Sequence, residues 1–259
     1  MKKTFFQSIV YACLLLPTLS KIHAEEKIVN KEMRRPNVLL VIADDWGWGH
    51  AGVYVDRGVR TPNFDRIARE GALFNRAYSA APTCTASRAS LLTGQMFYRL
   101  EEAAHLHGPL DKKFAVYPDL LESAGYAIGC KDKGLGPLPP GVTGGREHNP
   151  AGPAVEDLGA LIEQTPQDKP FCFWQGSNFP HRPYTAAWLA KAFSPDKVTI
   201  PSFLPDVPEV RQDVALYYAA VQAFDHEFGK QLQLLEKSGR LDDTIIVVTS
   251  DNGMPFPRA

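Results

Sequence analysis

Apolar residues recur along the chain in two rhythms, unbroken runs and a spacing of three or four. The runs at 37–43 (NVLLVIA), 171–174 and 244–249 carry β-branched and aromatic side chains without polar alternation. Strands buried on both faces of a mainly parallel sheet read this way. Shorter apolar stretches at 72–78 and 126–129 predict two further strands. About residues 210–237, Val214, Tyr217, Val221, Phe224, Phe228, Leu232 and Leu235 recur at helical spacing, which predicts one long helix with a buried stripe. Thr61-Pro62-Asn63 opens a shorter helix, with Phe64, Ile67 and Ala68 on one face and Gly71 beyond its end. A further short helix is expected at 118–124, closed by Gly125. Strands alternating with helices predict an α/β fold.

Composition narrows the class of partner. Among 259 residues, 28 Lys and Arg stand against 29 Asp and Glu, a formal charge of −1. The chain therefore lacks the basic excess of a general nucleic-acid binder, and an anionic ligand must meet a local basic pocket. With 44% hydrophobic and 22% charged residues, the composition is globular, and the length suits one large domain or two small ones. The N-terminus reads as an address. Lys2 and Lys3 precede eight apolar residues at 9–16, then Pro17, and Ala24 stands at the expected cut. Residues 1–24 are thus expected to be a secretory signal peptide, and the mature chain to be exported without a membrane span. Cys84, Cys130 and Cys172 remain beyond that leader, and three thiols cannot all pair, so at least one is expected to be free or chemically altered. Cys172 lies in an apolar run and reads as a small core hydrophobe.

Two acidic corners bear chemistry. Asp44-Asp45 follows the first strand, and Ser250-Asp251-Asn252-Gly253 ends the last. Each alone reads more often as a plain turn than as a metal site. In α/β sheets, however, ligands bind outside the carboxyl ends of strands, where Asp44, Asp45, Asp251 and Asn252 could offer oxygens to a hard divalent ion. Cys84 precedes Arg88 by four residues at the start of a helix, in Cys84-Thr85-Ala86-Ser87-Arg88. From spacing alone, the helix dipole and Arg88 predict a low-pKa thiolate.

Taken in order, ADDWGWG, TPNFDRIAREG, CTASRASLLTG and SDNG resemble the formylglycine-dependent sulfatases of the alkaline-phosphatase-like superfamily. The likeness runs from about Arg35 to the C-terminus and lies nearest the heparan N-sulfatase branch. It implies a mixed, mainly parallel sheet flanked by helices, with residues 35–259 as the N-terminal part of the catalytic domain. It also implies oxidation of Cys84 to formylglycine (3-oxoalanine) by a formylglycine-generating or anaerobic sulfatase-maturating enzyme. Asp44, Asp45, Asp251, Asn252 and residue 84 match the ligands of Ca²⁺, favoured over Mg²⁺. Arg88 matches the residue holding the formylglycine hydrate and sulfate, Lys133 the sulfate-binding lysine, and His181 the acid that protonates the leaving group. Ala86 replaces a commoner Pro, and Leu135 stands where many relatives have His.

The activity so implied is hydrolysis of a sulfate ester or sulfamate on a sulfated glycan, with heparan-type N-sulfoglucosamine favoured. The alternatives are an O-sulfatase on another polysaccharide and an inactive remnant that only binds sulfated glycan. The resemblance further implies a smaller C-terminal subdomain beyond Ala259, the last residue of this sequence.

Overall fold

The computed structural model describes residues 35–56 and 58–256. The leader predicted at 1–24 lies outside the described residues. Four strands, β1 (Asn37–Ala43), β2 (Ala127–Asp132), β3 (Phe171–Gly176) and β4 (Thr244–Ser250), form one parallel sheet in the order β2-β3-β1-β4. Leu40 pairs with Trp174 on one side and Val247 on the other, so β1 occupies the middle of the sheet.

Both faces are covered, which explains why β1 and β3 read as continuous apolar runs. Helix α1 spans Pro62–Glu70, α2 Cys84–Thr93, α3 Tyr117–Ser123, α4 Leu158–Gln164, α5 Leu189–Ala192 and α6 Pro208–Lys237. Leu39, Val41, Phe171 and Phe173 point to one face and pack against Val214, Tyr217, Val221, Phe224, Phe228, Leu232 and Leu235 of α6. Every member of the predicted stripe is buried. Leu40, Ile42, Cys130 and Trp174 point to the other face and meet Ala89 and Leu92 of α2. The 30 residues of α6 run about 45 Å, long enough to underlie the whole sheet.

The strand expected at 72–78 does not form. That stretch is irregular, with Phe74 75% and Tyr78 89% exposed, and Asn75-Arg76 makes a turn within it. A strand needs a neighbour to take its hydrogen bonds, and this stretch pairs with none of β2, β3, β1 and β4. The other elements stand within a few residues of their expected ends. Helices α4 and α5 were not predicted. None of the described helices is long and apolar enough to cross a membrane.

Candidate active site

The four strands all end at one rim of the sheet, and the site is built there. The Ala43 carbonyl of β1 accepts from Asp251 N at 3.1 Å, which fixes the two acidic corners side by side. Asp45 N donates to Asp251 Oδ1 at 3.2 Å, and Asn252 Nδ2 donates to Asp45 Oδ1 at 2.5 Å. Asp45 itself takes φ 69°, a left-handed conformation that Asp adopts more readily than most residues. Asp44 and Asp251 are buried, at 2% and 0% exposure.

Helix α2 brings the next pair. Cys84 is its first residue, and Thr83 before it is extended and offers no side-chain cap. The free N–H groups and the positive end of the helix dipole therefore sit at residue 84. Cys84 Sγ donates to Asp44 Oδ1 at 3.4 Å. One turn on, Arg88 is wholly buried and forms an ion pair with Asp251, Nε to Oδ2 2.7 Å. Its Nη1 donates to the carbonyls of Lys133 and Gly134 at 2.6 and 3.2 Å. Gly176 permits this approach: a Cβ there would lie 1.7 Å from the Lys133 carbonyl oxygen.

Lys133 follows β2, and its ammonium rests on Asp44 Oδ2 at 2.5 Å. His181, in the turn after β3, places Nε2 3.7 Å from Asp45 Oδ2 with its side chain 43% exposed. Its Nδ1 faces the Arg182 carbonyl. A carbonyl only accepts, so Nδ1 carries hydrogen and Nε2 is the atom free to exchange a proton. Asp44, Asp45, Cys84 and His181 each offer one ligand atom, all within 4.8 Å of one another.

All eight residues singled out in the sequence are thus joined in one constellation. The thiolate expectation is overturned. Burial first, then the charges of Asp251 and Asp44, push the Cys84 thiol up to about 12, against the opposing pull of Lys133. Burial and two carboxylates outweigh one lysine. Asp44 is likewise pushed up to about 6 by burial and by Asp251, although Lys133 and Arg88 pull it down. At Asp251, burial acts upward too, yet the charge and hydrogen bond of Arg88 hold it below the usual carboxylate value.

The donor set suits a divalent cation. Asp44, Asp45 and Asp251 supply three carboxylates against two cations, Arg88 and Lys133, and the Asn252 Oδ1 is buried without a hydrogen-bond partner. A hard ion would take those oxygens and relieve the repulsion that raises Asp44. Sequence reading missed the polar side chains supporting this shell. The Ser87 hydroxyl donates to the Asp251 carbonyl, and Ser177 follows β3 as directly as Asp44 follows β1. The rule that pointed to Asp44 and Asp251 would also have pointed to Ser177.

The sulfatase family model matches residues 36–135 and 153–257. The chain belongs to the sulfatase family. It is 33% identical over 261 residues to human N-sulphoglucosamine sulphohydrolase, covering 86% of this chain and 52% of that protein. It is 31% identical over 265 residues to human N-acetylgalactosamine-6-sulfatase, covering 84% and 50%. The chain therefore spans about half the length of these curated relatives. A solved structure in complex with its substrate D-glucosamine-2-N,6-O-disulfate superposes with TM-score 0.62 at 23% identity, covering 85% of this chain and 66% of that one. The sheet and flanking helices are those of the alkaline-phosphatase-like fold.

Proposed function

We propose that this sulfatase hydrolyses a sulfate ester or sulfamate on a sulfated glycan, with residue 84 as formylglycine at the reacting centre. The observation that carries the reading is the convergence of Asp44, Asp45, Arg88, Lys133, His181, Asp251 and Asn252 around Cys84 at the head of α2.

Asp44, Asp45, Asp251 and Asn252 Oδ1 would hold Ca²⁺, which when bound supplies a Lewis acid for the sulfate oxygens. Formylglycine supplies a hydrated aldehyde, whose two hydroxyls serve as nucleophile and as the means of releasing sulfate. Lys133 brings a positive charge to the same rim, and Arg88 Nη2, a buried donor without a partner, is available to a ligand oxygen. His181 Nε2, 3.7 Å from Asp45 Oδ2, gives its proton to the leaving oxygen or nitrogen. The mature protein acts after export, following action of a maturating enzyme on Cys84.

The favoured substrate is heparan-type N-sulfoglucosamine, on the likeness to N-sulphoglucosamine sulphohydrolase. A second reading, O-sulfate removal from another polysaccharide, rests on the nearly equal identity to N-acetylgalactosamine-6-sulfatase. Release of inorganic sulfate from glucosamine N-sulfate and from N-acetylgalactosamine 6-sulfate, measured side by side, decides between them. Chelation and Cys84→Ala are each expected to stop release. Activity that survives both would sink the proposal.

A further inference from the structure

A chain of hydrogen bonds runs from the long helix to the reacting rim. Ser177, 1% exposed, directly follows β3, and its N–H donates to the Ile42 carbonyl at 2.9 Å, extending the sheet by one residue. The Ser177 hydroxyl donates to Glu227 Oε2 of α6 at 2.6 Å. The Ser177 hydroxyl oxygen accepts from Phe179 N at 3.0 Å. The Phe179 carbonyl in turn accepts from Asp44 N at 2.9 Å. His181 lies two residues further on and donates its N–H to the Asn178 carbonyl at 3.2 Å.

A hydroxyl has one proton and two lone pairs. The Glu227 carboxylate can only accept, so it takes that proton and turns a Ser177 lone pair towards Phe179. Fixing Phe179 fixes two things at once, the backbone of Asp44 and the start of the turn that carries His181. We infer that Ser177 and Glu227 are positioning residues that hold Asp44 and His181 in register with residue 84. The inference rests on the proposed roles of Asp44 and His181, and it adds residues that touch neither the substrate nor the ion.

The test uses two readouts on the protein and its Ser177→Ala, Ser177→Thr and Glu227→Leu variants. In amide hydrogen exchange, which needs no turnover, Ser177→Ala and Glu227→Leu should speed exchange at Phe179 and Asp44 by about tenfold, with the amides of β1 and β3 unchanged. Ser177→Thr keeps the hydroxyl and should restore protection. In turnover, a misplaced His181 should slow a sugar sulfamate or alkyl sulfate about tenfold more than an aryl sulfate, whose phenolate leaves without a proton. Unchanged exchange at Phe179 in Ser177→Ala would overturn the inference. So would equal slowing of all substrates, or a loss of protection spread evenly over the sheet. His181→Ala serves as reference: if it slows both leaving groups equally, the acid role of His181 fails, and the exchange result alone then decides whether Ser177 and Glu227 tie the turn.

Discussion

Arg88 has no exposed surface, yet it carries a full charge. Its stability depends on Asp251 and on the Lys133 and Gly134 carbonyls, so it fastens α2 to the ends of β4 and β2. Removing one partner of a buried pair leaves the other charge unmatched, which costs about 3–5 kcal/mol. Arg88→Leu is therefore expected to lower unfolding stability by about that amount in urea titration, and a loss under about 1 kcal/mol would contradict the role given to Arg88. The residue types at the site were legible because motif order and strand ends both pointed to them. The complete burial of Arg88 was not, since it depends on how closely Gly176 lets the Lys133 carbonyl approach. Glu227 was illegible for a related reason. On α6 it reads as one more polar position, and its partner Ser177 lies 50 residues away in the chain.

Among the elements, the ends of β1 and β4 concentrate negative charge, and the consequence is a link between pH, metal and stability. Asp44 has a folded pKa raised to about 6 in the metal-free protein. A raised acid binds its proton more tightly when folded, so its ionisation weakens the metal-free fold as pH rises from about 4 through about 6. A divalent ion needs the ionised form, so proton and cation compete for Asp44. The rise in melting temperature on adding Ca²⁺ should accordingly be small near pH 5 and large near about pH 7. An equal rise at both values, or none at either, would count against these ligands. The long stripe of α6 was plain in the sequence because seven apolar positions repeat without a break. Helix α1 was found from its proline, but its true cap was hidden. Asp225 of α6 accepts from Asn63 N and Phe64 N at 3.2 and 2.8 Å, a contact that no local pattern announces. Helix α4 has only seven residues, too few to show a period, and the 72–78 stretch has apolar content without a neighbouring strand to pair with.

Across the whole molecule, the sheet has one flank that differs from the rest. Among the described residues β4 pairs only with β1, and Ile245 and Val247, on the α2 face, are 51% and 44% exposed. A seven-residue edge, β-branched at six positions and without charge or proline, is prone to pair with other strands. The double substitution Ile245→Lys with Val247→Lys is expected to reduce light scattering of concentrated protein, and scattering that does not change would show that this edge drives no association. The α/β architecture was legible from the alternation of runs and periods. The strand order β2-β3-β1-β4 was not, because parallel crossovers leave no mark in local sequence. At this scale one proposal joins fold to chemistry: residue 84, which the fold holds at the head of α2 among carboxylates and cations, acts as formylglycine. Peptide mass spectrometry of a preparation that releases sulfate tests it most directly. The account predicts that the peptide containing residue 84 carries an aldehyde in place of the thiol, in proportion to specific activity. Full sulfate release by protein whose Cys84 is an intact thiol would contradict it.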